Sequence, residues 1–458
     1  MPTIYVECTL TAQTNLNTGI QRVVRNVVRH AAAAAERHGY AALPVMFQNN
    51  DLIEADIATV VSNKLHESGA LPKQISPFLD RILRPCRYIV RKCIQTAIIL
   101  LPFEPVRRFL FWPNIREKFF RLFRIPLRLT GIKLTPPPPG NVIRGHPGDI
   151  LVLLDASWAT LIPWSAIRRF KRNGGRVVGV IYDLIPVNYP ESCIPEHVAV
   201  FKSWLRGLTR VTDALVCISN SAAQQLSNHF RSRFRSQPAI AHFYLGSELD
   251  LIAADATIRP LLKEIFSAQR QVFIVVGSIE PRKNHSFILD AFEEFWRNAG
   301  EASLVLIGQI GWKSEKVIDR IAHHKELGQR LFLLHDTSDA ELDYAYRNAS
   351  ALVIASKIEG FGLPVVEAFQ RGLPVLCSDI PVFREIADGR ALFFALDEPH
   401  DLTTALMDFA RTNTLSGRQH RMPLPWLTWR ESTEQLFEVS MKILSPEKAS
   451  KPKDFGRP

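Results

Sequence analysis

Residues 4 to 10 form a β-like hydrophobic run, a polar loop (TAQTNLNTG) follows, and apolar residues then recur at helical spacing from Ile20 to about His38, where Gly39 closes the pattern. The same strand, loop and helix rhythm returns in DILVLLDAS (149–157), RVVGVIYDLI (176–185) and DALVCIS (213–219). Helical stretches around 163–173, 195–208 and 221–230 separate these runs. Such alternation predicts a mostly parallel sheet flanked by helices. A second series consists of QVFIVVGS (271–278), SLVLIG (303–308), RLFLLH (330–335), SALVIAS (350–356) and LPVLCS (373–378), and it predicts a second doubly wound sheet. The polar stretch 247–268 reads as the linker between them, and a last helical pattern runs from Pro425 to Leu444. Residues 62–140, punctuated by proline and ending in PPPPG, interrupt the rhythm as an insertion.

Length and composition agree with two α/β domains: 458 residues, 47% hydrophobic and 22% charged, enough to bury two large cores. The six cysteines form no CxxC pair, and no histidines stand at zinc-ligand spacing, so neither a disulfide framework nor a metal is expected. The N-terminus has no basic and apolar leader pattern, and no 18-residue uncharged apolar run exists. The expectation is therefore a cytoplasmic protein without a membrane span.

The net charge of +11 is unevenly placed, because residues 81–133 alone hold thirteen Arg and Lys against Glu104 and Glu117. There the arginines interleave with Ile, Leu, Phe and Trp (RRFLFWPNIREKFFRLFRIPLRL). This composition fits a helix lying on an anionic bilayer, on the cytoplasmic face of the inner membrane, and equally fits ordinary helices with solvated arginines. No recognition module accompanies the charge, so nucleic acid is not an expected partner.

Ligands of open parallel sheets bind beyond the carboxyl ends of the strands, which directs attention to two loops. After QVFIVVGS comes IEPRKNH, placing Arg282 and Lys283 at the mouth of a helix with Asn284 as its N-cap; two cations at a helix start make an anion site, although a solvated pair in a turn reads the same. After SALVIAS comes KIEGFGLPVVEAFQRG, where Gly360 and Gly362 permit close backbone approach and Pro364 suits a first helical turn. Glu367 is expected in that first turn, where a carboxylate complements the helix dipole, and Glu359 precedes it at the strand end. Two carboxylates about a glycine-rich turn suit a polyhydroxyl ligand whose phosphates rest on backbone N–H groups.

EGFGLPVVEA together with EPRKN resembles glycosyltransferase family 4, in which an E-x7-E pattern and a basic phosphate loop occur in this order and separation. The early Gly-containing loop, LGS around Gly246 and the closing WLTWRESTEQL are similar as well. The resemblance implies a GT-B fold: two Rossmann-like, doubly wound α/β domains facing a central cleft, with a C-terminal helix crossing back. It places an acceptor domain at 1–250, a nucleotide-sugar domain at 265–420, the returning helix at 421–446 and a tail at 447–458.

The resemblance further implies a retaining hexosyltransferase using a nucleotide sugar, GDP-mannose first and a UDP-sugar second, with a glycan or lipid-linked acceptor in bacterial surface polysaccharide synthesis. Arg282 and Lys283 would neutralise the diphosphate in place of a metal, and no cofactor is implied. Glu359 would contact the donor sugar and Glu367 the ribose, while Gly360, Phe361, Gly362 and Leu363 would line the sugar and phosphate, as would the helix start at Gly19. Many relatives carry a His-Asp pair after a central strand of the first domain; here Tyr182 replaces the His and Asp183 remains. Asp183 would orient an acceptor hydroxyl, or it caps the following turn. An epimerase or phosphorylase on the same plan, and a non-catalytic membrane-surface scaffold, are the competing readings.

Overall fold

A computed structural model describes the chain apart from residues 15, 49, 63–140, 160–161, 232–237, 250–256, 299, 413–422 and 446–458. The basic stretch 81–133 and the tail 447–458 lie outside the described residues.

The first half runs β1 (Thr3–Glu7), α1 (Thr9–Gln13), α2 (Gly19–Glu36), β2 (Ala41–Gln48), β3 (Asp51–Glu54), α3 (Ile57–Ser62), β4 (Ile150–Leu153), α4 (Trp164–Arg172) and β5 (Arg176–Ile181). It continues through α5 (Ile185–Asn188), α6 (Pro195–Val211), β6 (Ala214–Cys217), α7 (Asn220–Arg231) and β7 (Ala239–His242). The second half contains α8 (Pro260–Ser267), β8 (Val272–Val276), α9 (His285–Arg297), β9 (Ser303–Ile307), α10 (Glu315–Ala322), β10 (Leu331–Leu334) and α11 (Asp339–Asn348). Then come β11 (Ala351–Ile354), α12 (Leu363–Gln370), β12 (Val375–Ser378), α13 (Pro381–Ala387), β13 (Leu392–Phe394), α14 (Pro399–Thr412) and α15 (Trp429–Leu444).

The first sheet has the order β3-β2-β1-β4-β5-β6-β7, parallel except for the β2–β3 pair. The second has the order β10-β9-β8-β11-β12-β13, with every pair parallel. Strands buried on both faces read as continuous apolar runs, as in VFIVV of β8, because helices cover both sides. Each sheet reverses its winding once, between β1 and β4 and between β8 and β11. At such a reversal neighbouring loops run to opposite faces and leave a crevice at the strand ends. The fold is α/β of the GT-B kind, two Rossmann-like sheets with a returning helix.

That returning helix, α15, is started by a capping box between Thr428 and Glu431 and packs against α2, β6 and β7, burying Leu436, Phe437 and Val439. Trp429 Nε1 donates to Glu248 O at 2.8 Å, and Ser432 Oγ donates to Tyr244 O at 2.6 Å, tying the helix to the first sheet's last loop.

Three expectations change. Residues 9–13 form helix α1 where a strand end and polar loop are expected, and part of the expected linker is helix α8. In α8 a proline occupies the first turn, and Leu262, Ile265 and Phe266 bury one face. Strand β2 carries Pro44 in mid-strand, which masks it in the sequence because proline lacks a ladder N–H.

Candidate active site

The two motifs follow β8 and β11, the neighbouring strands at the second sheet's winding reversal, so the topology alone brings them together. Lys357 N donates to Arg282 O at 2.8 Å and joins their backbones. Pro281–Lys283 form one 3-10 turn, and Asn284 sits in the left-handed region at φ 58°. Asn284 holds the N-cap position of α9 without a capping side-chain bond, which corrects the role expected for it: its contribution is the backbone turn that aims the two cations. Gly277, at φ 144°, lacks the Cβ that would stand 3.2 Å from Lys283 Cε, so the lysine folds back across it.

Glu359 is the hub of this site. Its Oε1 lies 2.6 Å from Lys283 Nζ and accepts from Ser356 Oγ at 2.8 Å, while its Oε2 accepts from Arg282 Nη1 at 2.5 Å. Burial alone would raise its pKa, yet Arg282 and Lys283 outweigh burial and hold it down at about 2. Arg282 also pairs with Glu280 Oε1 through Nη2 at 2.6 Å, and Ser278 Oγ donates to that same oxygen at 2.9 Å. Burial opposes the charge of Arg282, but Glu359, Glu280 and Asp183 raise its pKa further. The guanidinium is a permanent cation held by carboxylates on two sides.

The first domain supplies the opposite wall. Asp183 follows β5, accepts from Ile185 N at 2.9 Å and thus caps the turn into α5, while also lying in the field of Arg282, Glu359 and Glu280. Burial raises its pKa, and the Ile185 N–H and Arg282 pull it back. Tyr182, beside it, points the other way: its buried hydroxyl donates to Leu154 O at 2.8 Å inside the first domain. A Cβ on Gly360 would lie 2.2 Å from Tyr182 O, so only glycine lets the second domain's loop reach this strand end. Ser219 Oγ donates to Gly360 O at 2.8 Å and fixes that approach. A Cβ on Gly19 would stand 3.5 Å from Leu363 Cδ1, so the start of α2 faces the start of α12. The ring of Phe361 is buried near Tyr244 and Trp426. Gly362 takes φ 113° as the N-cap of α12.

Glu367 lies beyond the first turn of α12, because that helix starts at Leu363, so complementing the helix dipole does not explain it. Its Oε2 accepts from the buried Tyr346 hydroxyl at 2.7 Å, and its Oε1 accepts from Arg22 Nη1 of α2. Arg22 Nη2 is also 3.6 Å from Asp339 Oδ1.

Two cations and two carboxylates thus stand on adjacent strand ends in an order set by the fold. Residues 262–418 match the family described as glycosyl transferases group 1. The chain is 32% identical over 307 residues to the serotype-specific mannosyltransferase WbdA of Escherichia coli, a match covering 65% of this chain and 37% of the relative. It is 33% identical over 135 residues to the O-antigen chain mannosyltransferase RfbU of Salmonella typhimurium, covering 29% of this chain and 37% of the relative. The chain thus spans well under half the length of these relatives. Among solved structures, HepE of Anabaena, crystallised with UDP and glucose, superposes with a TM-score of 0.54 at 12% identity, covering 96% of this chain and 100% of that one. Sucrose-phosphate synthase of Thermosynechococcus elongatus gives 0.53 at 15% identity, covering 97% and 99%. These two likenesses concern the fold.

Several site residues escape sequence reasoning. Glu280 stands two positions before Arg282 in a stretch of mixed charge, and Arg22 falls on the face of α2 that Gly19 occupies, three residues on; that spacing is the one signal available for it. Glu385 accepts from Asn220 N and Ser221 N at 2.7 Å each, so a second-domain carboxylate caps a first-domain helix, and no local pattern announces this. At the first sheet's winding reversal, Glu7 and Asp155 form a buried carboxyl pair. Burial, then the neighbouring Asp155, pushes the Glu7 carboxyl up to about 7.

Proposed function

We propose that this chain is a retaining glycosyltransferase that moves a hexose from a nucleotide sugar, GDP-mannose first and a UDP-sugar second, to a glycan or lipid-linked acceptor of a bacterial surface polysaccharide. The observation that carries the reading is Glu359 in ion pairs with both Arg282 and Lys283 at the winding reversal, with Glu367 on the helix that follows. The mannosyltransferase names of the relatives support the choice of sugar, and the polysaccharide setting rests on them too.

In this reading the donor diphosphate competes with Glu359 for Arg282 and Lys283. The two cations, rather than a metal ion, balance the charge that grows as the bond between the anomeric carbon and phosphate oxygen breaks. Glu359, released toward the sugar, accepts its hydroxyls; Glu367 takes the ribose; the backbone from Gly360 to Leu363 and the start of α2 at Gly19 line the sugar and phosphates. The acceptor oxygen bonds the anomeric carbon from the face that the leaving group departs, and its proton passes to the departing diphosphate. Asp183, held by Ile185 N, orients the acceptor hydroxyl. Tyr182 takes no part, since its hydroxyl is committed to Leu154 O.

Docking on the cytoplasmic face of the membrane, through residues 81–133, belongs to the same proposal. Among the described residues no helix is long and apolar enough to cross a membrane. Arg168 and Arg172 of α4, with Arg210, line a surface groove and suit lipid phosphates, whereas Arg169 and Lys171 beside them pair with Asp51 and Asp213.

A panel of GDP- and UDP-hexoses assayed for transfer to a lipid-linked glycan tests the function. Transfer with net retention is expected, and K283A should lower it by about a hundredfold or more. Binding of no nucleotide sugar would overturn the reading. Co-sedimentation with anionic vesicles that ignores salt would overturn the docking.

A further inference from the structure

Glu367 is held from two domains. Tyr346, buried in the second domain, donates to one carboxylate oxygen, and Arg22 of the first domain donates to the other. The Glu367 side chain is only 2% exposed and that of Arg22 13%, so the pair is sheltered from water. Asp339, 3.6 Å from the second guanidinium nitrogen, steadies Arg22 from the far side. A carboxylate has about four lone-pair directions, two on each oxygen. Tyr346 and Arg22 each take one on a different oxygen. One direction per oxygen is left, which is the acceptor pattern that two vicinal hydroxyls require.

From this we infer that Arg22 is a positioning residue of the nucleotide subsite, supplied by the first domain, which fixes the Glu367 carboxylate for the ribose diol. The inference rests on the reading that Glu367 receives the ribose. Its physical content is that ribose recognition is a two-domain event. The Arg22 contact exists when α2 faces α12, as the close approach of Gly19 to Leu363 requires. Without Arg22 the carboxylate keeps Tyr346 but is free to turn about that bond, and a diol gains less from an acceptor that must first be ordered.

The test is calorimetric, with full-length protein and whichever of GDP and UDP the wild type binds. For each variant the dissociation constant of the ribonucleotide is compared with that of its 2′,3′-dideoxy analogue. The analogue's constant divided by the ribonucleotide's measures ribose recognition within one preparation, so partial unfolding cancels. R22Q is expected to reduce the ratio at least tenfold while leaving the affinity for inorganic pyrophosphate unchanged. The double variant R22Q/E367Q should bind the ribonucleotide no more weakly than E367Q alone.

An R22Q ratio equal to the wild-type value would overturn the assignment. So would tighter ribonucleotide binding in R22Q, because Arg22 would then compete with the ribose. An equal loss of pyrophosphate affinity would also overturn it, by placing the effect on the phosphates. If E367Q keeps the wild-type ratio, the ribose reading of Glu367 fails first, and the role of Arg22 falls with it. Failure of the wild type to bind either diphosphate has the same consequence.

Discussion

Lys283 Nζ lies 2.6 Å from Glu359 Oε1, and the two side chains are only 11% and 9% exposed. A pair this sheltered is neither a solvated contact nor a plain stabiliser: removing one partner leaves the other charged in a poor solvent, at a cost of about 3–5 kcal/mol. Here Arg282 remains beside Glu359 and softens that cost. K283A is therefore expected to lower the melting temperature by a few degrees and to reduce kcat by about a hundredfold or more, the usual scale for removing one charge-stabilising donor. Thermal unfolding and turnover should be measured on the same preparation. Wild-type turnover in K283A would remove Lys283 from the donor site.

Gly360 brings the second domain's loop against the backbone of the first at Tyr182. Gly360→Ala would set a methyl group 2.2 Å from Tyr182 O, a backbone atom that cannot swing aside as a side chain does. The expected outcome is a slightly wider cleft. A displacement of about 1 Å commonly costs a hundredfold in rate. The kcat/KM of G360A should therefore fall by about that factor while the variant still binds the nucleoside diphosphate through its second domain. Loss of nucleotide binding together with activity would mean that the methyl group disturbs the phosphate-lining backbone itself and not only the approach of the two domains.

Glu7 makes a pH prediction at the first sheet's winding reversal. Its carboxyl is raised from 4.5 to about 7 by burial and by Asp155, although Thr9 N donates to it at 2.9 Å and Asp155 N at 3.2 Å. Between these two values the folded chain holds a proton that the unfolded chain has released, so rising pH costs stability across that window. The loss begins near pH 4.5 and is complete above pH 7, with an upper bound of about 3 kcal/mol. Asp155 is likewise raised by burial, and the buried Tyr182 and Cys8 complete the surroundings. Melting curves at pH 5 and pH 8 should therefore show a smaller difference for E7Q than for the wild type. An equal difference would mean that Glu7 titrates near its ordinary value.

What was legible in the sequence follows from what local pattern encodes. Strands buried on both faces, such as VFIVV of β8, announce themselves as apolar runs, and a parallel doubly wound sheet then fixes which loops meet. Arg282, Lys283, Glu359 and Glu367 could be named because each lies in a loop, or on the helix after it, at one winding reversal. Arg22 and Glu385 could not, because their partners are 345 and 165 residues away and only the approach of the two sheets pairs them. Tyr182 was visible as a departure from a pattern, but which way it points depends on Leu154, whose carbonyl holds its hydroxyl. Strand β2 was hidden by Pro44, and helix α8 by the polar residues on either side of it.

The loop after β9 gives the last prediction. Lys313 Nζ donates to Glu191 O at 2.8 Å and to Cys193 O at 2.7 Å, and Trp312 Nε1 donates to Ser192 O at 2.8 Å. Three successive first-domain carbonyls are thus held by two adjacent second-domain side chains. They lie at the end of the 3-10 turn Pro190–Ser192, where the orphaned carbonyls attract a cation. Lys313 takes φ 53°, a conformation that costs a lysine about 1 kcal/mol or more, and the grip on the facing loop offsets it. Nearby, Ile185 and Cys193 of that domain pack with Ile358, the residue before Glu359, so the strap sits directly behind the hub. K313M keeps the stem and loses both charge-assisted bonds. It should raise the donor KM about tenfold or more with little change in melting temperature, because the bonds join domains rather than support either core. K313G relieves the backbone strain yet lacks the amine, and it should share the KM defect. A K313G enzyme with wild-type KM would assign the strap to the backbone conformation alone.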